Sequence, residues 1–219
     1  MNRLWAVKAG FEKPLKKPAN NSDLHGNAPD NSPVVLLLVD VINDLEFPDN
    51  RELIKNLAAF GRNLFKLKKR AQRAGIAIVY VNDNFGRWRS DFNRQVEHCL
   101  EEGVCGAPLT RLLKPEKEDY FVLKPKHSGF FSSTLETLLV YLQAKILIIT
   151  GIAGDRCVLF TASDAFLRDY QIFVPSDCTI SNHVKDNREA LKLMRRVLKA
   201  DTRPAAKIDL ARLKKHAPG

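Results

Sequence analysis

Two kinds of apolar pattern alternate along most of this chain. One is a short continuous run, such as PVVLLLV at residues 33–39, which is typical of a central parallel strand covered on both faces. The other repeats every three or four residues, and it predicts a helix over 48–75 that begins near Asp49 or Asn50 and ends at Gly75. The apolar face of that predicted helix consists of Leu53, Leu57, Phe60, Leu64 and Leu67.

The same two patterns continue towards the end of the chain. Apolar runs predict further strands, at 76–81, 119–125, 145–153 and 170–177, and a short edge strand at 205–210. Helical periodicity predicts three more helices, at 132–144, 155–169 and 185–200. The polar and aromatic segment 82–108 is predicted to be a loop with a short helix inside. Strands that alternate with helices imply right-handed crossovers and a mostly parallel sheet.

Length and composition favour one α/β domain. The chain has 219 residues, of which 45% are hydrophobic, enough for a sizeable core. Residues 1–32 are rich in proline and asparagine, so we predict a flexible or loosely packed N-terminal arm followed by a single domain over 33–219. No apolar run approaches the roughly 18 residues of a membrane span. The basic N-terminus lacks the apolar segment of a secretory signal, and four cysteines do not make a disulfide framework, so we expect a cytoplasmic protein.

Positive charge is concentrated at the C-terminal end. The net charge is +10, and residues 185–219 carry eleven Lys or Arg against four Asp or Glu. A basic segment can bind nucleic acid or an acidic partner. This segment has no aromatic residues between its charges, as base stacking would require, so we interpret it as a solvated amphipathic helix with a basic tail. A nucleic-acid partner is therefore not expected.

Three reactive side chains fall at or just after the ends of predicted strands. Asp40 closes the first strand, Lys124 closes the third, and Cys157 follows the fourth. The carboxyl ends of parallel strands meet at one edge of a sheet, where ligands bind in folds of this kind. We therefore predict that these three groups converge at that edge.

The position of Cys157 at the start of a predicted helix suggests a nucleophile. A free cysteine is more commonly a small buried hydrophobe. In a first helical turn, however, the unpaired N–H groups would lower the pKa of the thiol and could hold an oxyanion after attack on a carbonyl. Asp40 should have a raised pKa at the buried end of its strand, which suits a general acid or base. Lys124 would hold Asp40 ionised and would also lower the pKa of the thiol.

Three ordered motifs resemble the isochorismatase-like cysteine hydrolase superfamily, which includes nicotinamidases and N-carbamoylsarcosine amidohydrolases. LLLVDVINDL (36–45) is similar to the family's strand ending in Asp-x-Gln-x-Asp-Phe. LKPKHSGFFSSTLETLL (123–139) is similar to its Lys-x-x-x-Ser-Ala-Phe segment. LIITGIAGDRCVLFTASDAFLRDYQIFVPSD (147–177) is similar to its Gly-Val-Ala-Thr-x-x-Cys run, although Gly154 stands in place of the Thr.

The resemblance implies a fold, a triad and a mechanism. The implied fold is a six-stranded, Rossmann-like parallel sheet with helices on both faces. The implied triad is Asp40, Lys124 and Cys157, with a cis peptide joining Ile152 to Ala153 and an oxyanion hole made by the N–H groups of Ala153 and Cys157. Relatives of this kind often form oligomers, so a homodimer or homotetramer is expected.

The segment after the second strand bears on metal and substrate. Nicotinamidases carry Asp-x-His there, whereas this chain has Asp83 but Phe85 at the histidine position, so we expect no metal or other cofactor. Zinc at Cys99 and Cys105 is not expected either, because their spacing is unusual for zinc ligands. Trp88 could roof the pocket, Arg87 or Arg89 could bind a substrate carboxylate, and a polar contact could come from Asn84. Phe130 of the second motif is a further candidate for substrate binding.

Three functions are compatible with these residues. The first is a metal-independent cysteine hydrolase that cleaves a C–N bond of a small amide, ureide or carbamoyl substrate through a thioester. The second is an isochorismatase-type vinyl-ether hydrolase, which needs the acid but no thiol. The third, a non-catalytic protein that interacts through its basic C-terminal segment, fits least well with the three converging side chains.

Overall fold

A computed structural model describes residues 31–84, 91–101 and 103–217 of the chain. The predicted arm over 1–32 lies outside the described residues except for its last two positions. Six strands form one sheet: β1 (Val34–Val39), β2 (Ala77–Asp83), β3 (Tyr120–Lys124), β4 (Ile146–Ile152), β5 (Gln171–Phe173) and β6 (Thr179–Ile180). The described helices are α1 (Arg51–Arg73), α2 (Phe92–Cys99), α3 (Ala107–Leu112), α4 (Leu135–Tyr141), α5 (Leu159–Phe166), α6 (Val184–Val197) and α7 (Leu210–Lys215).

The sheet is parallel throughout, as the alternation of strands and helices predicts. Its order is β3-β2-β1-β4-β5, and β6 pairs with the carboxyl end of β4. The central strand β1 is completely buried, which agrees with its continuous apolar run. It pairs with β2 on one side and with β4 on the other. The ends of β1, β2, β3 and β4 therefore meet at one edge of the sheet.

Helices cover both faces of the sheet and give the domain two apolar cores. Alternate residues of β1 point to opposite faces, so Leu36 and Leu38 join one core while Val35 and Leu37 join the other. The first core is completed by α1, α2, α3 and α7, and the second by α4, α5 and α6. All five apolar positions predicted for the face of α1 are buried, and Gly75 ends that helix with a φ of 60°. The α/β fold class is confirmed.

Several predicted elements were wrong in detail. The segment 205–210 is a short 3₁₀ turn (Ala205–Lys207) leading into α7, and the sixth strand is instead the two-residue β6. Asp209 explains the difference, because its side chain accepts a hydrogen bond from the Arg212 N–H and caps α7. The predicted helix 155–169 is a π-helical turn (Gly154–Val158) followed by α5. The segment 82–108 holds α2 and the start of α3 rather than one short helix.

None of the helices within the described ranges combines the length and the apolar character that a membrane span requires.

Candidate active site

Asp40 is held at the carboxyl end of β1 by two backbone contacts to β2. Its N–H donates to the Val81 carbonyl at 2.9 Å, and its Oδ1 accepts from the Asp83 N–H at 2.6 Å. The backbone of Asp40 has a φ of 49°, so the chain turns sharply where the strand ends. The carboxyl group is buried, with 5% of the residue exposed. Oδ1 is thereby fixed, and Oδ2 remains available to the side chains of the neighbouring strands.

Lys124 reaches Asp40 across the intervening strand. It is the last residue of β3, it pairs in register with Asp83 of β2, and its side chain is completely buried. The Nζ atom lies 2.8 Å from Oδ2 of Asp40 and 3.5 Å from Oδ2 of Asp83. The ammonium group is therefore shared between two carboxylates from two neighbouring strands.

Cys157 brings a thiol to the same point from the other side of β1. It lies in the π-helical turn that follows β4, and its side chain is partly exposed. Its Sγ atom is 3.6 Å from Nζ of Lys124, and the thiol also hydrogen-bonds with the Asp40 carboxyl group. Asp40, Lys124 and Cys157, which are far apart in the sequence, are thus in mutual contact.

Burial dominates the electrostatics of these three groups. Burial raises the pKa of Asp40, and the neighbouring Lys124 offsets this in part. The pKa of Cys157 is raised to about 12, first by burial and then by the charge of Asp40. The prediction of a lowered thiol pKa was therefore wrong: Lys124 does lower it, but by less than the other two effects raise it. At rest the thiol holds its proton and needs a base to remove it.

The pKa of Lys124 is raised although burial, the largest single effect, acts in the opposite direction. The charge of Asp40, the charge that Cys157 carries in its thiolate form, and the hydrogen bond to Asp40 together outweigh burial. The lysine is therefore a permanent cation in this cluster. It can stabilise a carboxylate and a thiolate in turn without itself losing a proton.

The backbone around Cys157 is tightly folded. The peptide bond between Ile152 and Ala153 is cis. The N–H groups of Arg156 and Val158 both donate to the Ala153 carbonyl, at 3.1 Å each. A Cβ at Gly154, where the family has Thr, would lie 1.9 Å from Oδ1 of Asn187, so the Asn187 side chain would have to shift to admit it. The N–H groups predicted to form an oxyanion hole, those of Ala153 and Cys157, belong to this turn.

The other predicted substrate contacts fare differently. Asn84 is buried directly after β2, where its N–H donates to the Lys124 carbonyl at 2.9 Å. Phe130 is 6% exposed and packs in the second core, with the Arg168 guanidinium 4.7 Å from its ring centre. Phe130 is therefore a core residue and offers little surface to a substrate. Arg87, Trp88 and Arg89 lie outside the described residues.

Metal ligands are not grouped in the described part of the chain, where no three His, Cys, Asp or Glu side chains are placed to hold an ion. Asp83 contacts the Lys124 ammonium, and Phe85 lies outside the described residues. Cys99 is buried in the first core, whereas Cys105 is exposed. The expectation that no metal takes part stays a prediction.

His127 is a neighbour of the thiol that the sequence reasoning missed. It lies three residues after Lys124, and its Nδ1 is 3.8 Å from Sγ of Cys157. Its ring stacks on that of Phe160, with ring centres 5.7 Å apart. The available signal was a histidine inside the second motif, but sequence alone does not show which way a loop residue faces.

Fold and site together define an α/β protein with an acid, an amine and a thiol at the carboxyl edge of a parallel sheet. The Isochorismatase domain model matches residues 34–202. The chain belongs to the isochorismatase family and is an isochorismatase-family hydrolase.

Individual relatives agree with this assignment. The uncharacterised isochorismatase family protein YaaI of Bacillus subtilis is 42% identical over 166 residues, 76% of this chain and 91% of YaaI. The ureidoacrylate amidohydrolase RutB of Methylorubrum extorquens is 33% identical over 93 residues, 42% of this chain and 36% of RutB. Among solved structures, the N-carbamoylsarcosine amidase of Thermoplasma acidophilum matches with a TM-score of 0.61 and 23% identity, covering 80% of this chain and 98% of that one.

Proposed function

We propose that this protein is a metal-independent cysteine hydrolase that cleaves a C–N bond of a small amide, ureide or carbamoyl substrate through a thioester on Cys157. The observation that carries the proposal is the mutual contact of Asp40, Lys124 and Cys157 at the edge of the sheet. A buried acid beside a partly exposed thiol is the arrangement that nucleophilic catalysis by cysteine requires. RutB is a ureidoacrylate amidohydrolase and the structural neighbour is an N-carbamoylsarcosine amidase, and these two relatives favour this substrate class.

The first half of the reaction begins with a proton transfer. Asp40 accepts the thiol proton, which the raised pKa of its carboxyl group favours. The loss of the proton leaves a negative charge on the sulfur, and the nearby Lys124 ammonium stabilises this thiolate. The thiolate then attacks the substrate carbonyl. The N–H groups of Ala153 and Cys157 would bind the oxyanion of the tetrahedral intermediate. Asp40 then returns the proton to the leaving nitrogen, the C–N bond breaks, and the acyl group stays on the sulfur.

A substrate screen tests this proposal. A panel of small amides, ureides and carbamoyl compounds is incubated with the protein, and ammonia release is measured. We expect release from at least one member of the panel and none from the same compound with Cys157→Ala. Full activity of Cys157→Ala on that compound would remove the thiol from the mechanism.

Vinyl-ether hydrolysis is the second candidate, and the raised pKa of Asp40 is the observation in its favour. A carboxyl group that holds its proton more strongly than usual can protonate an enol ether, and this reaction needs no thiol. Alkylation with iodoacetamide separates the two candidates. Alkylation abolishes the activity of an amidohydrolase, whereas vinyl-ether hydrolysis survives it unless the bulky adduct blocks the pocket, and survives Cys157→Ala in either case.

The basic C-terminal segment gives less support to a third candidate, a non-catalytic interaction protein. Several of its cations already bind within the chain: Lys214 donates to the carbonyls of Ala74 and Gly75, and Arg195 donates to Thr202. A homodimer or homotetramer, a cytoplasmic location and a small-molecule partner are the expectations that accompany the proposed function.

A further inference from the structure

The thiol of Cys157 is approached by ionisable groups from two sides. Asp40 and Lys124 are both buried, and they lie on the inner side of the sulfur. His127 is exposed, and its Nδ1 lies 3.8 Å from the same sulfur atom. The imidazole therefore occupies the solvent side of the thiol, where a substrate or a water molecule must approach.

The ring of His127 is restrained in this position. It stacks on the ring of Phe160 in α5, with an angle of 21° between the two ring planes. Phe160 is itself half exposed, so the pair forms part of the protein surface beside the sulfur. Nδ1 faces Sγ, and with the ring proton on Nε2 the Nδ1 lone pair is directed to that side.

We propose that His127 is the general base that activates water for hydrolysis of the thioester on Cys157. This inference rests on the proposed function, and it concerns the second half of that reaction. Water has to reach the acyl carbon from the solvent side, because Asp40 and Lys124 fill the inner side. Of the described residues, His127 is the ionisable side chain that contacts the sulfur from the solvent side.

Asp40 lies on the buried side of the sulfur, away from a water molecule that approaches from solvent. One of its oxygens accepts from the Asp83 N–H, and the other lies 2.8 Å from the Lys124 ammonium. We therefore divide the proton transfers between two groups: Asp40 serves the formation of the thioester, and His127 serves its hydrolysis.

The step balances within the site. The water oxygen attacks the thioester carbonyl, and one water proton passes to Nδ1 of His127. The tetrahedral intermediate collapses, the C–S bond breaks, and the thiolate leaves beside the Lys124 ammonium. The imidazolium returns its proton to the sulfur, so the products are the free acid and the original thiol, and the net reaction is the addition of one water.

Acylation by p-nitrophenyl acetate tests the inference without knowledge of the natural substrate. The probe acetylates an active cysteine and releases nitrophenolate in a fast first phase, and a slower phase then follows hydrolysis of the acetyl-enzyme. In His127→Ala we expect a first phase like that of the unchanged protein and a second phase slower by about 100-fold or more. Mass spectrometry should show an acetyl group that accumulates on Cys157.

Two comparisons make the test specific. Added imidazole should restore the second phase of His127→Ala, because the site of the missing ring is open to solvent. Lys126→Ala, which changes an exposed neighbour, should behave like the unchanged protein. If His127 only packed on Phe160, added imidazole would not restore the second phase of His127→Ala.

The remaining outcomes separate the two proposals. A second phase in His127→Ala as fast as in the unchanged protein overturns the role of His127 alone, as does an equal slowing of both phases. Absence of a Cys157-dependent first phase in the unchanged protein overturns the proposed function and this inference with it.

Discussion

Two lysine side chains within the described residues are almost completely buried, and each is paired with an aspartate at nearly the same distance. Lys124 lies 2.8 Å from Asp40 at the edge of the sheet. Lys68 of α1 lies 2.7 Å from Asp119, just before β3. By burial and by the distance of the ion pair the two regions are equivalent. They nevertheless differ in the chemistry that they can support.

The difference lies in what else each lysine contacts. Lys68 also donates to the Lys114 carbonyl at 3.1 Å and lies 5.3 Å from the ring centre of Tyr80. These contacts attach the segment before β3 to α1, and they include no nucleophilic side chain. Lys124 instead shares its carboxylate with a thiol that is partly exposed. A buried ion pair is thus a structural element in one region, and in the other the added thiol makes it a candidate for catalysis.

The largest expected difference between the two regions is in activity. At neutral pH, where the Cys157 thiol is protonated, Asp40→Asn should slow its acylation by about 100- to 10,000-fold, because the general base is lost. Lys124 keeps its contact with Asp83, so the fold should survive. The matched control is Asp119→Asn, the same change in the other pair, which should leave the acylation rate unchanged. The rate of nitrophenolate release from p-nitrophenyl acetate measures both, and equal losses in the two variants would contradict a special role for Asp40.

The second difference is in stability. Lys68→Met should lower the free energy of unfolding by about 3–5 kcal/mol, because it leaves the buried Asp119 carboxylate without its cation. Acylation of Cys157 should be unaffected at a temperature where the variant is folded. Urea unfolding measures the loss.

A double variant checks the cause of that loss. Lys68→Met combined with Asp119→Leu removes both charges, and it should recover most of the lost stability. If the double variant is as unstable as Lys68→Met alone, the contacts of the lysine with the Lys114 carbonyl and with Glu116 are more important than its pairing with Asp119.

A third prediction concerns the pKa of the thiol. The charge of Asp40 is one of the causes that raise the pKa of Cys157 to about 12, so Asp40→Asn should lower it. Alkylation of Cys157 by iodoacetamide should therefore begin at a lower pH in Asp40→Asn than in the unchanged protein. The variant with the slower acylation would thus have the thiol that ionises more readily. Peptide mass spectrometry over a pH series measures this, and Cys105, which lies beside Glu46, is the internal reference.

An unchanged pH of alkylation in Asp40→Asn would show that burial alone sets the state of the thiol, and a higher pH would contradict the sign of the Asp40 effect. In the first case the carboxylate would have no electrostatic effect on the sulfur, and its contact with the thiol would matter for geometry only.

The sequence was sufficient to predict the meeting of Asp40, Lys124 and Cys157. Each residue stands at or just beyond the end of a strong apolar run, and a parallel sheet brings such ends to one edge. The helix α1 was equally predictable, because its five apolar positions repeat over a long segment. A long, strongly periodic apolar pattern therefore predicts both the element and the face that it buries.

Other features depended on contacts that no local pattern encodes. The pKa of Cys157 follows from burial and from Asp40, which lies over a hundred residues earlier, so the helix-dipole argument gave the wrong direction. β6 is two residues long and has no periodicity to detect. His127 reaches the sulfur because of the path of the loop after β3. These features are set by tertiary packing between segments that are distant in the sequence.

The smallest predicted effect tests how the second region is held together. The Tyr80 hydroxyl donates to the carbonyl of Leu113, a fully buried residue, and the Lys68 ammonium lies over the Tyr80 ring. Tyr80→Phe removes the hydroxyl and keeps the ring, so the cation–π contact should persist while the carbonyl loses its donor. We expect a loss of about 1–2 kcal/mol in the free energy of unfolding and no change in the acylation of Cys157. A loss as large as that of Lys68→Met would mean that the hydroxyl positions the lysine as well, and that this region depends on one connected network rather than on the ion pair.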